Sequence, residues 1–430
     1  MKNKKIIISI LLILIGVGGL VFAIVKYMGH KEEIKPTTPE DPGSQVTPST
    51  NKGENYNSKL IKEVNKQSNN NNYLISPYSI EIALNLLKES TNNNTRNEIE
   101  NVIPNRTIKV FNNEKVKVTN GAFIKNKYKN LVLSSFTDNM KNKYNAEIIY
   151  DDFKNADPIN NWVNEKTDKM IPKLVDSIDP NFMFGVVNAV ALDLEFQSEF
   201  DCSKTSKTRF TKEDGLHMDV YMMSNSYEGG NVSYVKKDDY EAVSIPYKKV
   251  GDDQYEFIGI KVDDISKFIN SLDDDKLNNI MKDAITADSK NQINVKLPKF
   301  KYNYDLLTPK FKQILQNLGI KEVFGTNPDF TGFISKENME KNGISPELSE
   351  AIHKTYIDLN EKGTKAAAVT AFLVVDKAAI EEPVQKNIYN ITFDNPFIYM
   401  IREKNSGEIL FFGTVYEPTK WDGHTCQMTY

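Results

Sequence analysis

The chain has 430 residues, 40% hydrophobic and 26% charged, which is an ordinary balance for a globular protein. Its formal net charge of −4 gives no reason to expect a nucleic-acid partner, because acidic residues offset the lysines along the whole length. Two cysteines, Cys202 and Cys426, exclude a disulfide framework and leave open whether they pair with each other; four histidines without metal-binding spacing predict no metal site and no cofactor.

Residues 1–28 are predicted to be a membrane anchor or an export signal. Ile6 to Val25 contains twenty residues without a charge, enough for a helix to cross a hydrocarbon core of roughly 30 Å. The lysines before this run predict a cytoplasmic N-terminus and an extracellular remainder. A cleaved signal peptide is the alternative, with a cleavage site at Ala23. We favour a retained anchor because the apolar run continues past Ala23.

The rest of the chain divides into three parts. Residues 29–55 are rich in Pro, Thr and Ser and predict an extended tether. Residues 56–418 show a continuous globular pattern without repeats or linkers and are taken as one domain. Residues 419–430 form a C-terminal tail for which the pattern predicts no function.

Helical periodicity recurs within the domain. It predicts helices over residues 58–67, from Ser79 onward, and over 159–170. A fourth helix is predicted near residues 308–319, with Thr308 as its N-cap, Pro309 at its first position and Gly319 at its C-terminus.

Strand patterns are interspersed with these helices. Residues 293–297 alternate apolar and polar side chains, residues 254–262 form a second strand, and residues 396–415 predict a hairpin turning at 405–407. Because helices and strands are neither strictly alternating nor segregated, an α+β fold with antiparallel sheets fits best.

The segment from Gly363 to Lys377 is unusual, because ten uncharged residues follow Lys365 between charged runs. As a strand it would place Thr364, Ala366, Ala368 and Thr370 on one face, all small enough to enter a formed sheet. Periodicity alone leaves open a permanent buried helix or central strand.

Several separated segments resemble the serpin family in the family's order: LISPYSIEIALNLL, NNNTRNEIENVI, INNWVNEKTDKMIPKLV, VVNAVAL, LPKF, LGIKEVF with DFTGF, HKTYIDLNEKGTKAAAVTA and FDNPFIYMIREKNSGEILFFGTV. The resemblance covers some 360 residues. It implies a serpin fold with three β-sheets, eight to nine helices and an exposed reactive-centre loop, which inserts into the central sheet after a protease cleaves it.

The same resemblance assigns roles to individual residues. The cleaved bond is expected between Lys377 and Ala378, with Ala378–Ala379 or Glu381–Glu382 as alternatives because the loop is longer than usual. The loop hinge matches Glu361, Gly363, Thr364, Ala366, Ala368 and Thr370. The residues that control sheet opening match Ser76, Ser79, Asn188, His353 and Lys299, the last as an ion-pair partner of Glu361. The alternative for Glu361 and Lys299 is that both are exposed charges that contribute little to stability.

One position departs from the family pattern, since Phe196 stands where a tryptophan is usual. Packing at the point where the loop inserts is therefore expected to differ.

The resemblance implies a monomeric suicide-substrate inhibitor of an extracellular serine or cysteine endopeptidase, with a trypsin-like target favoured by Lys377. The alternative is a non-inhibitory binding or structural protein of the same fold at the cell surface. Catalytic motifs that would indicate an enzyme are absent from the sequence. The Lys-, Asn- and Ile-rich composition is typical of an AT-rich microbe.

Overall fold

Residues 55–348, 351–364 and 386–423 are described in a computed structural model of the chain. The predicted anchor and tether lie outside these residues. Within the described ranges, no helix combines the length and the apolar character needed to cross a membrane.

The described chain contains nine α-helices: α1 (Tyr56–Ser68), α2 (Pro77–Glu89), α3 (Asn93–Val102), α4 (Ser134–Tyr144), α5 (Asp157–Lys166), α6 (Ile265–Asn270), α7 (Asp274–Asn278), α8 (Lys310–Leu318) and α9 (Lys336–Asn342). Its strands are β1 (Tyr73–Ile75), β2 (Val116–Lys125), β3 (Glu147–Asp151), β4 (Phe184–Leu192), β5 (Leu194–Glu195), β6 (Ser206–Thr211), β7 (His217–Tyr227), β8 (Ser233–Lys236), β9 (Glu241–Pro246), β10 (Tyr255–Lys261), β11 (Ile285–Thr286), β12 (Asn291–Pro298), β13 (Phe300–Leu306), β14 (His353–Asn360), β15 (Gly363–Thr364), β16 (Asn387–Thr392), β17 (Phe397–Glu403) and β18 (Ile409–Val415).

In the described residues these strands form four hydrogen-bonded sheets, two of which are joined along the chain through Asp193. One has seven strands in the order β1-β18-β17-β10-β9-β8-β11, and a second has the order β16-β12-β7-β6. The third consists of two hydrogen-bonded parts, β3-β2-β4 and β13-β14-β15-β5. The chain passes from β4 through Asp193 directly into β5, so we describe these two parts together as one divided sheet. Counted in this way the three predicted sheets are present, and the α+β fold class is confirmed.

A slot divides this third sheet. The short strand β15 pairs antiparallel with β14 on one side and with β5 on the other. Below β15, no ladder joins β4 to β14 in the described part of the chain. Two parallel strands therefore flank the slot, and β15 closes its upper end.

The seven-stranded sheet is buried on both faces. Phe257 and Tyr399 belong to a core that it shares with the slotted sheet. Their neighbours Ile258 and Met400 point to the opposite face, toward helices α1, α2 and α8. Successive side chains of a strand alternate between faces, so burial of both faces explains the uncharged runs at residues 257–260 of β10 and 397–401 of β17.

Helix α5 packs on the outer face of the slotted sheet. Its Ile159 and Val163 contact a small core with Phe123 of β2 and Ala189 of β4. Trp162 meets Phe123 edge to face at 5.3 Å between ring centroids. The helix ends at Lys166, earlier than the predicted residue 170.

Most of the elements predicted from local sequence patterns are present at the predicted positions. The hairpin of β17 and β18 turns where predicted, with Gly407 at φ 74°. Helix α8 ends at Leu318 and has Gly319 as its C-cap, as predicted, and the φ of 116° at Gly319 is one that glycine adopts readily.

Two helix starts were predicted wrongly. Thr308 does not cap α8, because its hydroxyl bonds the backbone of Ala351. Pro309 is the N-cap and Lys310 the first helical residue, one position later than predicted. Helix α2 begins at Pro77, before the predicted Ser79, because Ser76 caps it by accepting from the Ser79 N–H.

Candidate functional site

The upper end of the slot requires a glycine at position 363. Gly363 has φ 147°, outside the range that side-chain-bearing residues favour. A Cβ atom there would lie 2.1 Å from the carbonyl oxygen of Leu194, on β5. The backbone of β15 thus approaches β5 as closely as only glycine permits.

Thr364 is already buried at this end of the slot. Its side chain is 4% exposed, and its hydroxyl shares a 2.6 Å hydrogen bond with that of Tyr247. Tyr247 in turn stacks on Phe196, with 5.0 Å between centroids and 3° between planes. Burial raises the pKa of Tyr247, so its hydroxyl stays protonated. Phe196, which departs from the family pattern, therefore supports the hinge indirectly through Tyr247.

Glu361 and Lys299 form an ion pair, as predicted. Lys299 Nζ lies 2.8 Å from Glu361 Oε2, and the Thr205 hydroxyl donates to Glu361 Oε1 at 2.8 Å. Glu361 is only 8% exposed, so this pair differs from two solvated surface charges.

The turn at residues 361–362, called the hinge turn below, is also held by backbone hydrogen bonds from the segment that follows β5. The N–H of Phe196 donates to the Lys362 carbonyl at 2.7 Å, and that of Phe200 donates to the Glu361 carbonyl at 2.9 Å. The turn that precedes β15 is therefore fixed by main-chain bonds as well as by the ion pair.

The four other residues predicted to control sheet opening meet in one hydrogen-bonded chain across the slot. The Ser76 N–H donates to His353 Nε2 at 3.0 Å, and the Ser79 hydroxyl donates to the Asn188 side-chain oxygen. Asn188 continues to Asn120 on β2 at 2.8 Å. The N-terminus of α2 thereby connects β14 to β4, the two strands that no ladder joins.

His353 is neutral in this chain of bonds. It is 7% exposed, and burial lowers its pKa from 6.5 to about 4. Its Nε2 accepts a hydrogen bond, which requires the unprotonated nitrogen. The structural role of His353 therefore stays a prediction, with which these contacts are compatible.

A solvent-open cavity of about 220 Å³ lies along the lower slot. Ser79, Asn188 and His353 line it, together with apolar residues of β4 and of the segment after α5. A smaller cavity continues upward between Val190 and Leu192 of β4 and Tyr356 of β14, and reaches Thr364. Both cavities lie between the strands that flank the slot.

Ala366, Ala368 and Thr370 of the predicted hinge lie outside the described residues. So do the predicted bond Lys377–Ala378 and its alternatives. Sequence reasoning missed Tyr247, Thr205 and Asn120, because no local pattern marks a residue whose partner is distant in the chain. In the ranges described, no three His, Cys, Asp or Glu side chains group as a metal site.

Comparison with known proteins gives the family. The model for the family described as Serpin (serine protease inhibitor) matches residues 52–418, and the chain therefore belongs to the serpin family. It is 26% identical to neuroserpin of Mus musculus over 378 residues, 81% of this chain and 86% of that protein. It is 25% identical to the leukocyte elastase inhibitor of Sus scrofa over 387 residues, 84% and 96% of the two chains.

The fold is similar to that of tengpin, a thermophilic serpin solved in its native state. The TM-score is 0.70 at 26% identity, and the match covers 90% of this chain and 97% of tengpin.

Proposed function

We propose that this protein inhibits an extracellular serine or cysteine endopeptidase as a suicide substrate, with Lys377–Ala378 as the cleaved bond. One observation carries the proposal: Gly363 and Thr364 already form a strand at the upper end of a slot between two parallel strands, β4 and β14, that do not pair with each other in the described residues. A chain that continues β15 downward would pair antiparallel with both β4 and β14. Serpin reactive loops add a strand to a sheet in this manner.

The proposed reaction begins as ordinary proteolysis. The nucleophile of the protease attacks the carbonyl carbon of Lys377, the bond to Ala378 breaks, and the new amine of Ala378 leaves with a proton. Lys377 remains attached as an acyl ester, or as a thioester on a cysteine enzyme. Insertion of the freed loop then carries the attached protease away from its productive geometry before water can cleave the ester.

The slot supplies a sufficient driving force for that movement. About ten new backbone hydrogen bonds at roughly 0.5–1.5 kcal/mol each give a gain on the order of 10 kcal/mol. The uncleaved chain is then held by a kinetic barrier and is not at its free-energy minimum. Small side chains at Ala366, Ala368 and Thr370 keep the barrier to insertion low enough to be crossed after cleavage.

Lysine at position 377 favours a trypsin-like target, because an acidic specificity pocket pairs with its ammonium group. The non-inhibitory alternative, a binding protein at the cell surface, requires that the loop be cut without trapping the enzyme. The same experiment decides between the two.

The experiment mixes the domain, residues 56–430, with a trypsin-like protease and resolves the products on a denaturing gel. A complex that survives denaturation, with release of a peptide beginning at Ala378, is the expected result. A peptide beginning at Ala379 or Glu382 would move the bond and keep the mechanism. Clean cleavage without a complex, repeated with elastase-, subtilisin- and papain-like enzymes, would support the binding protein.

Thr364→Arg provides the hinge variant for this experiment. It would bury an unpaired charge beside Tyr247, so insertion should fail and the protein should become a substrate. Leu216→Arg adds the same charge at a site that is 61% exposed, and it should inhibit like the parent protein. Equal inhibition by both variants would argue against insertion at this slot.

We further propose that the protein acts as a monomer, and that residues 6–25 anchor it to the membrane with its domain on the extracellular face. After cell fractionation, the full-length chain should sediment with membranes and be degraded by protease added to intact cells. Recovery of a shortened chain from the medium would instead indicate a cleaved signal peptide.

A further inference from the structure

The chain continues past the part that matches the serpin family. The family match ends at residue 418, yet residues 419–423 are described and pack against the second sheet. The N–H of Thr419 donates to the Lys299 carbonyl at 3.0 Å, and that of Trp421 donates to the Asp219 carbonyl at 2.8 Å. Between them, Lys420 bridges Val220 of β7.

This tail segment, residues 419–423, occupies an edge of β7 that β12 leaves free. The ladder of β12 with β7 ends at the pair Pro298 and Met222. Residues 219–220 lie beyond that end, where they pair with β6 on their other side. The tail segment therefore extends the sheet toward Lys299, the single residue between β12 and β13.

Side chains of the tail segment also contact Tyr221 of β7. The ring of Trp421 lies 4.4 Å from that of Tyr221, and the Tyr221 hydroxyl donates to the Asp422 carboxylate. Lys299 Nζ also lies near this tyrosine, 5.3 Å from the centroid of its ring. Since Lys299 also pairs with Glu361, Trp421, Tyr221, Lys299 and Glu361 form a continuous series that ends two residues before Gly363.

We propose that the tail segment is a latch that holds the hinge turn closed and slows loop insertion in the uncleaved protein. Trp421 restrains Tyr221, and Tyr221 and Thr419 restrain the side chain and backbone of Lys299. Lys299 then keeps Glu361 against Thr205. The effect on insertion rests on the proposed function, whereas the restraint of the turn does not.

A disulfide bond of Cys202 is the covalent part of the proposed latch. Cys202 is disulfide-bonded and lies in a short 3₁₀ helix that ends one residue before Thr205. The only other cysteine in the sequence is Cys426, which lies outside the described residues. We include in the proposal a disulfide between the two within one chain, which would link the tail covalently to the segment before Thr205, the hydrogen-bond partner of Glu361. Reduction by a dithiol transfers two electrons and two protons to this bond, gives two thiols and closes the reagent into its own disulfide.

The test compares hydrogen exchange of the amides of Phe196 and Phe200, which bond to the hinge turn, in the full domain and in Trp421→Ala. Loss of the aromatic contact should speed their exchange by about tenfold. Trp421→Phe keeps a ring on Tyr221 and should restore protection, and Lys420→Ala, an exposed neighbour in the same tail, should match the parent. Unchanged exchange in Trp421→Ala would overturn the latch.

A second measurement separates the latch from the inhibitory mechanism. The uncleaved variants are incubated and sampled on urea gels for a form that resists denaturation. Trp421→Ala, and the parent protein treated with dithiothreitol, should reach this form about tenfold faster. Faster exchange together with no covalent protease complex in the parent would sustain the latch and reject the proposed function. A non-reducing peptide map without a Cys202–Cys426 peptide would remove the covalent link.

Discussion

Gly363 shows most clearly how one residue can determine the site. Its positive φ and its contact with the Leu194 carbonyl are separate constraints, and both exclude a side chain. Thr364 and Glu361 can reach their partners only because the backbone turns at this point.

Gly363→Ala is therefore expected to destabilise the uncleaved domain by about 2–4 kcal/mol and to abolish inhibition, since the new Cβ must displace β5. Gly215→Ala is the matched control, because Gly215 also has a positive φ of 78° but nothing within 4 Å of the added atom. That change should cost only about 1 kcal/mol. Thermal unfolding of both variants gives the comparison, and equal losses would show that contact with Leu194 has no effect.

At the scale of elements, the hydrogen-bonded chain from His353 to Asn188 takes the place of the missing ladder. It joins β14 to β4 through the N-terminus of α2. In the proposed mechanism an inserting strand would pass between the groups that these bonds connect, and the bonds would then oppose opening of the sheet.

The pKa of His353 makes this link sensitive to pH. Folding lowers the pKa from 6.5 to about 4, so the neutral histidine stabilises the fold above pH 6.5. That contribution is lost as the pH falls from 6.5 toward 4, and amounts to on the order of 3 kcal/mol. Denaturant unfolding across this range should show the loss in the parent protein.

Replacement of His353 by Gln should lower stability at neutral pH and remove most of its decline between pH 6.5 and 4. His217→Gln changes an exposed histidine on β7 and should leave the pH profile intact. An unchanged profile in His353→Gln would assign the pH dependence to other groups.

Local chemistry explains what could be predicted of these elements. The β17–β18 hairpin and the end of α8 depend on glycines within their own turns, and those signals are visible in the sequence. The wrong cap at Thr308 arose because its hydroxyl is taken by Ala351, 43 residues away. Tyr247 and Thr205 bind hinge residues 117 and 156 positions away. Their roles depend on how the sheets assemble.

For the whole molecule, the resemblance predicted the three sheets and the pairs that meet around the slot. It did not predict the tail contacts, because the tail lies beyond the matched region. In the proposed mechanism the uncleaved chain is a strained state with three restraints on opening: the hinge turn, the hydrogen bonds through the N-terminus of α2, and the tail segment.

The most direct test measures the unfolding temperature before and after cleavage within the loop. If the freed strand fills the slot, the cleaved domain should unfold on the order of 20 °C higher than the intact one, and Thr364→Arg should lose this increase. Equal unfolding temperatures for the intact and cleaved parent protein would contradict loop insertion, and with it the proposed inhibitory mechanism.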